Sequence, residues 1–211
     1  LSATLPNYED VGIFMRVDLK KGLFYADDTF RPVPLAMQFV GVTEKNPLKQ
    51  RGVMNGLAFE KARDAIRNGK QVLVFVHSRK DTVNTARALR EAAAKSGDPH
   101  LFDCSQSCDE WSKLKQKADR SKDRNVSDLF KSGLGCHHAG MLRTDRTLTE
   151  TLFARGAIKV LVCTATLAWG VNLPAHTVII KGTKIYNPEV GKFVELSILD
   201  VKQIQGLSLI H

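Results

Sequence analysis

Three short runs rich in β-branched apolar residues stand at 72–76, 159–163 and 177–180. Each is too short for a buried helix and is bounded by polar or glycine-containing segments, the pattern of a strand covered on both faces of a parallel sheet. A shorter run at 135–138 and an edge-capable one at 36–42 extend the set. Between the strands, apolar positions recur at helical spacing. Val53, Leu57, Ala58, Ala62, Ala65 and Ile66 line one face of a helix over 53–67 that Asn68-Gly69 stops. Further helices are expected over 8–17, 82–94, 113–130 and 145–153, the last closed by Arg155-Gly156. Asn7 stands where its side chain can cap the first of them, and Glu9 and Asp10 favour its positive end. Such alternation predicts an α/β fold: a parallel sheet with helices on both faces, joined by right-handed crossovers.

Residues 22–42 hold apolar runs broken by Asp27-Asp28, Pro32 and Pro34, which reads as a linker ending in the strand at 36–42. The polar piece at 97–112 is expected to be a surface excursion. Near the end, Ile185-Tyr186 and Phe193-Val194 flank Asn187-Pro188-Glu189-Val190-Gly191-Lys192, a hairpin pattern with its turn in the middle.

At 211 residues and 43% apolar content the chain can bury one domain-sized core. A net charge of +9 points to a polyanionic partner. The densest cationic run, Lys113, Lys115, Lys117, Arg120, Lys122 and Arg124, is interleaved with Asp119 and Asp123 and reads first as a solvated helix face. Four cysteines without regular pairing suit a reducing, intracellular setting, and Cys104 and Cys108 lack the second ligand pair of a zinc site. No apolar run has transmembrane length.

Chemistry concentrates after the strands. Thr164-Ala165-Thr166 and Gly170 follow the run at 159–163, placing hydroxyls and bare backbone in the crevice where open α/β sheets bind ligands. The same residues also suit an ordinary strand-loop-strand connection. Ser78-Arg79-Lys80 open a helix after a strand, so free amides and two cations meet where a backbone phosphate fits; a plain strand-helix turn with solvated cations is the alternative. His137 and His138 point to opposite faces of a strand and have no third ligand in reach of sequence, so no metal is expected. A stand-alone enzyme built on the histidines or cysteines lacks converging acid, base and nucleophile.

The segment from Val160 to Thr183 resembles motif V of superfamily 2 helicases, in the form carried by two-cassette DExH helicases. Leu1-Ser2-Ala3-Thr4-Leu5-Pro6-Asn7 resembles their motif III, and Val72 to Lys80 resembles motif IV. His137-His138-Ala139-Gly140-Met141 resembles the motif between IV and V. Four motifs stand in the family's order. The resemblance implies a domain division: residues 1–35 as the end of a first RecA-like domain with its linker, and 36–211 as a second RecA-like domain truncated at motif VI. A fragment of a longer motor is the expectation.

It also implies roles. Ser78, Arg79, His138, Gly140, Arg143 and Thr164 would lie along single-stranded or partly duplex RNA or DNA. Gly170 and Asn172 would face ATP, Ser2 and Thr4 would couple the two domains, and Tyr186 or Phe193 in the hairpin would separate strands. ATP would close two RecA-like domains and hydrolysis reopen them, with Mg²⁺ held by ligands of the first domain. The polarity implied is 3′ to 5′, in the nucleus or cytoplasm, within a multi-subunit complex and with no membrane.

Gln203-Ile204-Gln205-Gly206 begins like motif VI, whose Gln203 would belong to the catalytic set. The family then continues Arg-Ala-Gly-Arg, whereas this chain reads Leu207-Ser208-Leu209-Ile210-His211. Leu207 and Ile210 stand in the arginine positions. An arginine at a γ-phosphate is worth roughly 10³–10⁵ in rate in phosphoryl transfer, so the isolated chain is expected to hydrolyse no ATP. The alternative is a non-catalytic nucleic-acid-binding or scaffold fragment.

Overall fold

The computed structural model describes residues 5, 7–30, 34–171, 173, 175–187 and 190–207, with backbone alone at 28, 169, 170, 186 and 187. The β-branched runs become strands β1 (Val72–Phe75), β3 (Val160–Cys163) and β4 (Thr177–Ile180), joined by β2 (Leu134–His137). They form one parallel sheet in the order β2-β3-β1-β4. Val72 stands opposite both Val160 and Thr177, and Leu134 opposite Val160, so all four strands begin level and end level. Their carboxyl ends therefore make a single edge. β1, β2 and β3 are buried at every position, while β4, at the rim, is half-buried.

Helices α1 (Tyr8–Phe14), α2 (Pro47–Arg67), α3 (Arg79–Lys95), α4 (Trp111–Asp119), α5 (Arg124–Phe130), α6 (Arg143–Ala154), α7 (Thr166–Gly170) and α8 (Ile198–Gln205) complete the main elements, with a 3₁₀ turn at Asp28–Phe30. Most of them pack around the sheet in the α/β RecA-like arrangement. Phe75, Phe102, Phe130 and Phe153 are fully buried at its centre, each contributing roughly 2–3 kcal/mol of transfer free energy. β5 (Lys184–Asn187) and β6 (Lys192–Glu195) pair antiparallel as the expected hairpin, with Tyr186 opposite Phe193.

Several expectations need correction. α1 stops at Phe14, and the Asn7 side chain makes no cap; only its carbonyl accepts, from Val11 N–H at 3.2 Å. Residues 36–42 form no strand: among the described residues β4 pairs only with β1 and no strand lies against this run, and Met37 and Phe39 stand exposed. α2 begins six residues earlier than its apolar periodicity suggested, because Asn46 accepts from the amides of Leu48 and Lys49 and Pro47 occupies the first turn. The helix expected over 113–130 is two helices. Asp123 caps α5 by accepting from Asn125 N–H, and the chain turns at 120–123.

The stretch at 97–112 is no surface excursion either. Phe102 and Cys104 are buried, Phe102 meets Phe59 edge-on at 6.4 Å, and Trp111 stacks on Phe130 at 5.6 Å. The Phe102 carbonyl fills the space beside Gly133, where a methyl group would stand 1.6 Å from its oxygen. Burial pushes the Cys104 thiol up to about 12 and the Cys136 thiol likewise to about 12. Both are packing residues.

Candidate functional site

Level strand ends bring four sequence-distant loops to one edge of the sheet. Thr164 N–H donates to the His137 carbonyl at 3.1 Å, Val76 N–H to Cys163 at 2.8 Å, and Lys181 N–H to Phe75 at 2.9 Å. Each loop is thus tied to the next by backbone.

The loop after β1 carries Ser78, Arg79 and Lys80, all exposed. Ser78 caps α3, its hydroxyl accepting from Asp81 N–H at 3.1 Å. That bond uses the hydroxyl as an acceptor and leaves its proton available to a ligand oxygen. The Arg79 side chain lies across Gly140 of the loop after β2, close enough that a Cβ at 140 would stand 2.9 Å from a guanidinium nitrogen. His138 is half-buried in the same loop. Burial holds its imidazole below the ordinary 6.5, with Asp123 opposing the shift and Arg79 adding to it. Arg143 opens α6 just beyond and is exposed.

The loop after β3 presents Thr164 and Thr166, whose hydroxyls share a hydrogen bond at 3.0 Å. They lead into α7, a short helix absent from the sequence expectations, which ends at Gly170. Opposite α7 stands α8, where Gln203 Nε2 donates to the Ala168 carbonyl at 3.0 Å. Gly170 and Gln203 therefore come from two adjoining helices. Leu207, in the place of the family's first motif VI arginine, is buried in the hydrophobic core, and its carbonyl accepts from Ala175 N–H at 3.1 Å.

Of the residues singled out in the sequence, Ser78, Arg79, His138, Gly140, Arg143 and Thr164 all lie in or beside the loops of this edge. Phe193 sits exposed on the hairpin beyond β4, and the Tyr186 backbone is paired with it. Ser2, Thr4 and Asn172 lie outside the described residues.

Sequence reasoning missed the inner support of the edge. Lys181, at the end of β4, is buried, and its ammonium donates to Thr85 Oγ1 at 2.5 Å and to Asp81 Oδ2 at 3.4 Å. Burial lowers its pKa from 10.5, and the Asp81 carboxylate opposes that shift. The neighbouring His77 Nε2–H donates to the Gly182 carbonyl at 2.5 Å. Together these contacts fasten β4 to the loop that carries Ser78 and Arg79. The available signal was a cation directly after an apolar strand with an anion in a helix's first turn, but pairing across 100 positions is set by sheet register.

His137 is buried, and its Nε2–H donates to Glu150 Oε1 at 2.8 Å. Burial holds this imidazole below 6.5, against the pull of Glu150. Among the described residues no group of three or more His, Cys, Asp or Glu side chains converges. The 211 residues also contain no Gly-Lys-Ser/Thr phosphate-cradling loop. What the edge does offer is exposed cations beside hydroxyls, donors that suit a phosphodiester backbone.

Residues 105–193 match the helicase conserved C-terminal domain. The chain is 54% identical over 207 residues to the human U5 small nuclear ribonucleoprotein 200 kDa helicase, covering 98% of this chain and 10% of that protein. It is 52% identical over 206 residues to zebrafish activating signal cointegrator 1 complex subunit 3, covering 98% and 13%. The Arabidopsis DExH-box ATP-dependent RNA helicase DExH14 matches at 49% over 206 residues, covering 98% and 10%.

The chain belongs to the superfamily 2 DExH helicases.

It carries their helicase C-terminal domain and spans about a tenth of the length of these relatives. Both the spliceosomal and the cointegrator-complex helicases are among these relatives. Identities of 52% and 54% do not separate the two.

Proposed function

We propose that this chain forms the second RecA-like domain of an ATP-driven helicase, with residues 36–211 as that domain and 1–35 as the end of the first domain and the linker. One observation carries the reading: the register of the sheet aligns Arg79, Gly140, Arg143 and Thr164, from three loops far apart in sequence, along a single polar edge. A single strand of nucleic acid lies along it. Arg79 and Arg143 neutralise phosphates, Ser78 and Thr164 donate hydroxyl hydrogen bonds, and Gly140 lets the backbone approach. His138 stays neutral near pH 7 because burial lowers its pKa, so it acts as a hydrogen-bonding group rather than a third cation. The relatives named as RNA helicases favour RNA over DNA.

Gly170, Asn172 and Gln203 face the nucleotide, with ATP sandwiched against the first RecA-like domain, whose residues hold Mg²⁺. Ser2 and Thr4 pass the closure to the strand. Because Thr164 and Gly170 stand at the two ends of one short segment, a single loop senses both ligands, a two-state element biased by ATP. Translocation runs 3′ to 5′, and Tyr186 or Phe193 on the hairpin stacks on a base at the fork. A multi-subunit assembly inside the cell is the setting, as the ribonucleoprotein and cointegrator-complex names of the relatives support.

The chain alone releases no phosphate from ATP, since Leu207 replaces an arginine and no phosphate-cradling loop is present among the 211 residues. RNA-dependent phosphate release by the purified chain contradicts this. A second reading, a binding module without motor activity, draws on the same burial of Leu207 in the core. Photocrosslinking of a thiouridine-bearing strand tests the groove common to both. Adducts are expected on the peptides holding Arg79, Gly140–Arg143 and Thr164, and adducts confined to the far edge of the sheet overturn the reading.

A further inference from the structure

The break between α4 and α5 has an alternating construction. Arg120, Lys122 and Arg124 are exposed, whereas Ser121 and Asp123 between them are half-buried. Ser121 Oγ–H donates to Asp145 Oδ1 at 2.9 Å, and Asp123 turns inward to cap α5. Two anchors thus hold three cations outward.

Neighbouring carboxylates do not neutralise them. Asp119 is paired with Lys115 at 2.7 Å and Asp128 with Arg90 at 3.3 Å, while Asp123 and Asp145 turn inward to accept from Asn125 N–H and Ser121 Oγ–H. Among the described residues Arg120, Lys122 and Arg124 make no ion pair, although other cations nearby do. The field is left for a partner.

Position decides which partner. Asp145 lies in the first turn of α6, two residues after Arg143, so the Ser121–Asp145 bond docks the turn beside the outer end of the polar edge. Asp123 also acts electrostatically on His138, which places the turn's inner side toward the loop after β2.

We propose that residues 120–124 are an additional phosphate-binding station, in which Arg120, Lys122 and Arg124 grip the backbone of a single strand beyond its contacts with Arg79 and Arg143. This rests on the groove reading given above. Three point charges on a pinned turn give length- and salt-dependent grip without base readout. The basic run read at first as a solvated face is therefore two things: Lys115 paired within α4, and a turn held open for anions.

The test is a salt series of binding to a fluorescent oligouridine strand by the whole 211-residue chain. One variant carries Arg120→Ser, Lys122→Ser and Arg124→Ser. A charge-matched control carries Arg67→Ser, Lys70→Ser and Lys95→Ser, at the opposite edge of the sheet. Losing three contacts lowers the log–log salt slope by about 2 for a single strand, with affinity down about tenfold or more at low salt. The control is expected to keep the wild-type slope. The variant Arg120→Lys, Arg124→Lys should also keep it, because phosphate grip here needs charge and not a guanidinium fork. Equal losses in the turn variant and the control reduce the effect to net charge and overturn the proposal with the groove intact. Absence of salt-dependent binding by the wild type overturns the groove reading, and this station with it.

Discussion

Gly140 leaves the space that the Arg79 side chain occupies: a methyl group at 140 would stand 2.9 Å from a guanidinium nitrogen and 3.0 Å from Cδ. The contact is with the far end of a flexible side chain, so Gly140→Ala shifts the arginine rather than the backbone. The expected cost in stability is under about 1 kcal/mol. Strand affinity should fall, though less than in Arg79→Ala, because the methyl group displaces the cation while Arg79→Ala removes it. Paired melting and binding curves check this, and a variant that binds normally would show that Arg79 does not need its place over Gly140.

Lys181 and Asp81 supply the second prediction. With Lys181 buried and its partner only partly exposed, removing the carboxylate leaves an ammonium without its counter-charge. Asp81→Ala is expected to cost roughly 2–4 kcal/mol, less than a fully buried pair because Asp81 retains some solvent. Lys181→Met, similar in volume and apolar, should cost less. Chemical denaturation of both single variants and the double variant tests the order. A larger loss in Lys181→Met than in Asp81→Ala would contradict it.

Two glycines with left-handed backbone should respond very differently to alanine. At Gly133, φ is +67° and a Cβ meets the Phe102 carbonyl oxygen at 1.6 Å, a backbone atom that cannot step aside. At Gly97, φ is +81° and the surrounding space is open. Gly97→Ala should cost about 1 kcal/mol from conformation alone, and Gly133→Ala about 3 kcal/mol or more, enough to prevent folding in a marginal domain. Soluble yield and unfolding midpoints distinguish the two.

Stability should fall with acid in a window set by two histidines. Burial holds both His137 and His138 below 6.5 in the folded chain, so the unfolded chain takes up protons first as pH drops. The unfolded state then binds more protons, and stability rises with pH. It is therefore level above about pH 7 and declines below about 6.5, by at most about 1.4 kcal/mol per pH unit for each histidine. His137→Gln should flatten the decline. An unchanged slope in that variant would assign the acid sensitivity elsewhere.

The sheet was legible because β-branched residues at 72–76, 159–163 and 177–180 leave few alternatives to buried strands. The loop residues Arg79, Gly140 and Thr164 followed from standing directly after those strands. Other features depend on partners that a linear reading does not supply. Residues 36–42 have strand composition, yet no strand pairs with them among the described residues. Phe102 and Cys104 are buried singly, in a segment without periodicity. The break at 120–123 has a local signal in the cap-forming Ser121 and Asp123, but its position is set by the Ser121–Asp145 and Asp123–Asn125 hydrogen bonds, one tertiary and one local. Lys181 and Asp81 meet only because β4 lies beside β1 in register.

The central claim is that the carboxyl edge of the sheet is a strand-binding groove. Its most direct test is binding of labelled single-stranded RNA and DNA across a salt series, with Arg79→Ala and Thr164→Ala beside the wild-type chain. The account predicts salt-sensitive binding, weakened by both substitutions, with the slope reduced by about 0.7 in Arg79→Ala and unchanged in Thr164→Ala, which removes a hydroxyl and no charge. Binding that is indifferent to both substitutions, or absent at low salt, would contradict it.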